Sequence, residues 1–383
     1  MDLWPPFEYN RQGVAAGIPP KTLSDALKQA RRVQREGLPP ILTLNHLAHH
    51  TGAPYAYLRE VVERKKNPYR TFLIHKRGGG LRQICVADPI LLSVHRWLAC
   101  HVLNKRNPHS SSYAYAPQSS VVHCAKMHAG AAWLIKVDVH KFFESISEIQ
   151  VYRVFRACGY EPLISYELSR LCTRVYQLSP TRYYSEVWSR FTLGEYEAIP
   201  SYRYPNKIGH LPQGAATSPM LSNLAMFTID ETLAELADRV GLVYTRYSDD
   251  LIFSGGSSCS REKARKFVHD VYAILLRHGL FPKRKKTKIV PPGARKIVLG
   301  LLVNGPQPRL TREFRNRISV HLHYLQKFGP VEHAQRRGFR SVLSLQRHID
   351  GLLAFARQVD DPRVTEWCAQ AKKINWDLAI EPD

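Results

Sequence analysis

Two adjacent acids in an apolar setting, Asp249 and Asp250 within Val243 to Phe253 (VYTRYSDDLIF), are the residues whose types and spacing most directly suggest chemistry. The flanking residues read as two strands bent at Ser248-Asp249. The acids therefore fall at a hairpin tip, one carboxylate directed at the working face and the other sideways. A third acid is available. Trp133 to Val139 (WLIKVDV) alternates Ile135, Val137 and Val139 on one side with Lys136 and Asp138 on the other. Three carboxylates converging in this way would share divalent cations, as two-metal phosphoryl transfer requires: one ion activates the attacking hydroxyl and the other steadies the leaving group. Mg²⁺ suits such a site because it takes oxygen ligands and keeps waters and substrate phosphates, with Mn²⁺ as the alternative. An Asp-Asp pair alone is equally a turn. Asp138, Asp249 and Asp250 together are the expected catalytic and metal-ligating residues.

The composition names a partner for such chemistry. The chain has 383 residues, 55 Lys and Arg against 32 acidic residues, a net charge of +23 and a pI near 9.8. The charge is clustered at Arg59 to Arg70 and Lys283 to Lys288, and 19 tyrosines supply flat faces for stacking. Nucleic acid is the partner this balance implies, since phosphate contacts supply most of such affinity. No apolar run approaches the ~20 residues that cross a bilayer. The opening MDLWPPFEYN is not a secretory signal. The expected setting is cytoplasmic. Seven cysteines without a Cys-x-x-Cys pair read as reduced thiols. His123, Cys124 and His128 lie close enough for zinc, but no second half of a site is nearby.

The elements that must position these residues begin with helices over 1–68. A stripe of Leu23, Ala26, Leu27, Ala30 and Val33 marks one; Leu44 to Ala48 and Tyr55 to Val62 flank Thr51-Gly52. That pair reads as a helical cap on the main body or as a helix-turn-helix DNA reader. Tyr69 to Val86 reads as a hairpin about Gly78-Gly79-Gly80. Pro89 to Leu103 reads as a helix with Ile90, Leu91, Val94, Trp97, Leu98 and Val102 inward. Residues 179–208 read as a long loop or insertion. A helix capped by Ser218 runs through Leu236, 261–278 is another, and Lys296 to Val303 is a strand. Over 306–383 the chain is helical, with Thr311 as a cap, Phe314, Ile318, Leu322 and Leu325 inward, and Arg312, Arg315, Ser319 and His323 on a basic stripe. That stripe would grip a nucleic-acid duplex or simply face solvent.

In this order and spacing, four segments resemble the sequence blocks of bacterial reverse transcriptases, most closely the retron type: Lys136-Val137-Asp138 to Phe142-Phe143, His210 to Pro219 (HLPQGAATSP), Tyr247 to Asp250, and Lys285-Lys286-Thr287. The resemblance implies an α+β right-hand polymerase with an antiparallel-sheet palm. It divides the chain into a helical N-terminal segment (1–68), fingers and palm (69–305) and a helical thumb (306–383). Phe143 matches the aromatic gate that collides with a ribose 2′ hydroxyl, and Phe142 reads as core. Gln213-Gly214 lets backbone approach the substrate. Lys76 and Arg82 match finger contacts to the triphosphate, where arginine makes forked hydrogen bonds. Lys286 matches a lysine near the leaving phosphates, or is one more charge in a basic run. Cys124-Ala125-Lys126-Met127-His128 stands where retron enzymes carry Asn-Ala-x-x-His, which makes His128 an expected nucleic-acid contact. Val298-Leu299-Gly300 stands where they carry Val-Thr-Gly.

What the resemblance implies is an RNA-directed DNA polymerase that copies part of a structured noncoding RNA into an RNA-linked single-stranded DNA. A separate effector protein would complete an anti-phage system, with no membrane involved. Two rivals stand beside it: another defence-associated or group II intron-like reverse transcriptase, and an idle RNA-binding scaffold. Three mutually repelling carboxylates argue against the scaffold.

Overall fold

The structure, a computed structural model, describes residues 6–75, 81–117, 119–175, 208–257 and 259–376. Helices Pro6–Ala15, Pro20–Arg35, Leu44–Thr51 and Tyr55–Val62 open the chain. Thr43 caps the third, its hydroxyl accepting from the His46 amide at 3.1 Å. Gly52, at φ 69°, turns the chain into the fourth. Leu44, Leu47, Leu58, Val61 and Val62 are all buried in the principal core. The pair is thus packed as a cap on the body.

Strands β1 (Tyr69–His75) and β2 (Leu81–Ala87) pair antiparallel, Tyr69 opposite Ala87 and His75 opposite Leu81. The glycine turn between them lies outside the described residues, as do Lys76 and most of the loop expected at 179–208. Asp88 caps the next helix, Pro89–His101, accepting from the Leu91 amide at 2.9 Å and from the Tyr57 hydroxyl at 2.7 Å. Leu91, Val94, Leu98 and Val102 are buried as expected; Ile90, in the first turn, is instead exposed.

The central sheet has the order β4-β5-β3-β6, from β3 (Trp133–Asp138), β4 (Leu242–Tyr247), β5 (Asp250–Gly255) and β6 (Lys288–Val290), every pair antiparallel. One face, with Ile135, Val137, Tyr244, Leu251 and Phe253, joins the core beneath helices Phe227–Arg239 and Arg261–Arg277. On the other face Leu134 and Ile252 join a second core with Cys124, Val298, Leu301, Ile318 and Leu322. Alternation along the strands thus builds both layers.

Three local expectations are corrected. Ser218 does not cap its helix: it is the first helical residue of Ser218–Ala225, and its hydroxyl donates to the Pro212 carbonyl at 2.7 Å. A new helix, Phe227–Arg239, begins after Met226. The strand expected at 296–303 is a hairpin, β7 (Ile297–Val298) and β8 (Leu301–Leu302), because Leu299 and Gly300 both take positive φ, as a tight two-residue turn demands. β8 also pairs with β9 (Arg309–Leu310). The last helices are Arg312–Arg336, Val342–Gln358 and Val364–Lys372. The first is kinked where Gly329 leaves helical geometry before Pro330.

Candidate active site

A two-residue turn, Ser248-Asp249, joins β4 to β5 and closes on the Tyr247–Asp250 pair. Ser248 has φ 59°, the left-handed value expected at the first central position of such turns and usually given to glycine. The Asp249 carbonyl accepts from the Val139 amide at 2.9 Å, which ties the turn to the end of β3. Across the β3–β5 ladder Asp138 stands directly opposite Asp250. Facing residues in an antiparallel pair share one side of the sheet, with Cβ atoms about 5 Å apart. The sheet therefore places Asp138 and Asp250 on one face at one end, with Asp249 in the adjoining turn.

Their electrostatics follow from that crowding. Burial raises the carboxyl groups of Asp249 and Asp250 above the ordinary aspartate value; the Asp138 charge raises Asp249 further, and Asp249 and Asp138 raise Asp250 further. Lys286 offsets part of this. Its ammonium donates to Asp138 Oδ2 at 2.5 Å, and that hydrogen bond raises the lysine in turn. Lys286 reaches the site from a short turn, Arg284–Lys286, anchored where the Lys283 amide donates to the Asp138 carbonyl at 2.7 Å. Among the described residues no three His, Cys, Asp or Glu side chains are already drawn together as a metal cage, the aspartates and the His123-Cys124-His128 cluster included. Here an ammonium supplies the counter-charge to Asp138.

Phe143 is the second residue of a single helical turn, Phe142–Ser145, entered through Lys141 at φ 48°. Phe142 is buried, as expected of core, and Phe143 is half-buried with its ring edge-on to Phe142 at 5.5 Å. Arg82 is exposed on β2, yet near enough for its charge to ease that of Asp249. Gln213 and Gly214 make their close approach to β2. The Gln213 carbonyl accepts from the Cys85 amide at 2.8 Å, and a Cβ on Gly214 would lie 2.7 Å from the Cys85 carbonyl oxygen. Gly214 also sits at φ 115°. The glycine is thus required to join the loop to β2, a reason the sequence did not suggest.

Two expected nucleic-acid contacts are placed elsewhere. His128 is fully buried between Thr245 Oγ1 and Ser254 Oγ, each at 2.7 Å, and burial lowers it to about 4. A neutral ring pinned under the sheet has no face for a phosphate. Its neighbour Cys124 contacts the same Thr245 at 3.3 Å. Arg315 donates through Nε to Asp361, a buried carboxylate, at 2.7 Å, so it fastens its helix to the connection between the two helices that follow. Arg312 is exposed.

Sequence reasoning missed the support under the turn. Arg246, fully buried, grips Asp230 through Nε and Nη2 at 2.8 and 2.7 Å, and donates to Asn223 Oδ1 and Ser112 Oγ. It also donates to the Ser248 carbonyl at 3.3 Å, while Asp230 accepts from Tyr244. The available signal was a charge, Arg246, in register with Leu242 and Tyr244 on a core-facing stripe.

A sequence model of the family "Reverse transcriptase (RNA-dependent DNA polymerase)" matches residues 74–309, which hold every strand from β2 to β8 and the whole candidate site. The chain belongs to the reverse transcriptase family. This reverse transcriptase is 28% identical to the retron Ec86 reverse transcriptase of Escherichia coli over 82% of its own length and 87% of the relative's. It is 28% identical to the retron Mx65 enzyme of Myxococcus xanthus over 92% and 76%. To the retron Mx162 enzyme of the same organism it is 26% identical over 100% and 78%. Among solved structures, telomerase from Candida albicans in complex with a telomeric RNA fragment aligns over 93% of this chain and 62% of that one, with 12% identity and a TM-score of 0.39. The family match and the retron relatives together make this reverse transcriptase an RNA-directed DNA polymerase of the bacterial retron type, with an α+β right-hand fold. Enzymes of this family generally depend on divalent metal.

Proposed function

We propose that Asp138, Asp249 and Asp250 hold two Mg²⁺ ions, Mn²⁺ being the alternative, and that the enzyme adds deoxynucleotides to a strand templated by a structured noncoding RNA. The observation that carries this is the cross-strand opposition of Asp138 and Asp250 with Asp249 at the adjoining turn. The donor set fits the group. All three ligands are hard oxygens, two of them with carboxyl pKa values raised by burial and by each other, and the third paired with an ammonium. When bound, the ions acidify the attacking 3′ hydroxyl and neutralise charge on the leaving pyrophosphate. With the metal bound, Asp138 would serve as one of its ligands, and Lys286, now paired with Asp138, would be free to contact the leaving phosphates. Arg82 and Lys76 clamp the triphosphate. Phe143 excludes a 2′ hydroxyl, Gln213-Gly214 holds the fingers to the palm beside the nucleotide, and Arg312 contacts duplex phosphates.

By likeness to its retron relatives, the product is an RNA-linked single-stranded DNA, made in the cytoplasm for anti-phage defence beside a separate effector protein. Among the described residues no helix is long and apolar enough to cross a membrane. The working division is a helical N-terminal segment over 1–68, fingers and palm over 69–305 and a thumb over 306–383. The test is to purify the full chain with its bound nucleic acid, supply labelled deoxynucleotides with Mg²⁺, and treat the product with ribonuclease. A labelled product that shortens under ribonuclease and keeps its DNA supports RNA linkage. A product of unchanged length contradicts it.

A further inference from the structure

Three of the six non-glycine residues with positive φ among the described residues gather around the candidate nucleotide pocket: Tyr115 at 64°, Lys141 at 48° and Ser248 at 59°. Left-handed backbone is costly for an aromatic residue and persists only where its surroundings hold it. For Tyr115 the holders are visible. The segment before it runs parallel to the end of β4, bridging at Ser112 and Arg246. The Arg246 amide donates to the Ser111 carbonyl at 2.7 Å, and the Tyr113 amide donates to the Arg246 carbonyl at 2.8 Å. Asn223 donates to the Ala114 carbonyl at 2.6 Å. The buried Arg246 network thus fixes the chain up to residue 114, and the left-handed turn at Tyr115 swings its ring over the Ser248-Asp249 tip.

There the side chain makes two contacts. Its hydroxyl donates to Ser248 Oγ at 2.8 Å, so two left-handed residues hold each other. Its ring lies 6.1 Å from that of Phe143, tilted by 45°, on a different contact from the edge-on Phe142. Tyr115 is still 41% exposed, beside a Phe143 that is itself only half-buried. The Asp249 charge is near enough to act on the phenol. A half-open aromatic held between a candidate sugar gate and a candidate metal-binding turn faces the place where a nucleotide sugar must sit.

We propose that Tyr115 is a specificity-determining residue for the incoming nucleotide, forming with Phe143 a two-ring wall against the sugar and tying that wall through its hydroxyl to the Ser248 turn. The inference rests on the reading of Phe143 as the gate. Phe142 supports the gate ring from one direction and Tyr115 from the other. Without the Tyr115 ring, Phe143 can tilt away and admit a 2′ hydroxyl. Without the hydroxyl, the wall is no longer set by the turn that carries Asp249.

The test is single-nucleotide incorporation by the full chain on a primed RNA template with Mg²⁺, comparing kcat/KM for a deoxynucleotide and its matching ribonucleotide. Tyr115→Ala is expected to lower the deoxy-over-ribo preference about tenfold, the scale of one aromatic pair. Phe143→Ala should lower it at least as far. Tyr115→Phe and Ser248→Ala break the same hydrogen bond, so each should lower the preference a few-fold and the double variant no further. Unchanged preference in Tyr115→Ala, or equal losses for both nucleotides, overturns the role of Tyr115 while a selective loss in Phe143→Ala leaves the gate standing. If Phe143→Ala also keeps its preference, the gate reading fails and takes this inference with it. Should Tyr115→Ala not fold, the hydroxyl cycle decides: additive losses in the double variant contradict the proposal.

Discussion

Burial raises Asp249 and Asp250, and their aspartate neighbours add to the effect. A carboxyl raised in the folded state binds its proton more tightly there than in the unfolded chain. Between the unfolded and folded values stability therefore falls as pH rises, and at neutral pH the acids cost stability. Asp249→Asn should raise the melting temperature by ~2 °C, about 1 kcal/mol, while abolishing synthesis. Scanning calorimetry with and without Mg²⁺ checks this, and the ion should stabilise the wild type more than the variant. Lys286 is more than half exposed, so its ion pair with Asp138 contributes little to stability. Lys286→Met should leave the melting temperature within a degree or so and still lower turnover by about tenfold. A large loss of stability would make Lys286 a structural residue instead.

At the scale of elements, the hairpin tip depends on what lies under it and beside it. Arg246→Met strands Asp230 in a fully buried position and should cost about 3–5 kcal/mol in urea unfolding. Arg246→Met with Asp230→Leu should recover much of that, because an apolar pair leaves no buried charge. Gly214→Ala meets both a positive φ and the Cys85 carbonyl, and should cost about 1–3 kcal/mol with loss of synthesis. Three of the four strands of the central sheet were legible because Trp133–Asp138 alternates cleanly and Asp249-Asp250 interrupts an apolar run, while the edge strand Lys288–Val290, only three residues long beside a lysine run, was not. What was not legible depended on partners distant in sequence. His128 looked like a surface ligand until Thr245 and Ser254, more than a hundred residues away, enclosed it. Arg315 carried helical-stripe spacing, but Asp361 claims it from beyond the next helix. Tyr115 had no local signal, since its place beside Phe143 is set by Asn223 and Arg246.

Across the whole molecule, buried histidines and surplus positive charge set the response to solution conditions. Burial holds His46, His95, His128 and His321 down to about 4. A base lowered on folding contributes stability that is present above its unfolded value, near 6.5, and is lost as pH falls toward 4. The urea midpoint should therefore decline steadily across that window, with Asp249 and Asp250 acting in the opposite direction. A flat midpoint between those values would contradict the buried, neutral state of these rings. The net charge of +23 makes RNA binding a matter of phosphate contacts. The association constant should fall at least ~100-fold between 50 and 200 mM salt. Filter binding with the full chain reads that slope.

The central claim, that three aspartates at the end of one sheet carry out template-directed DNA synthesis, is tested most directly by primer extension with Mg²⁺. Wild type would be compared with Asp138→Asn, Asp249→Asn and Asp250→Asn, each verified as folded. Wild type should show template-dependent extension, and every variant a loss of at least about 1,000-fold. Extension that survives any one of these substitutions at near wild-type rate would contradict the claim.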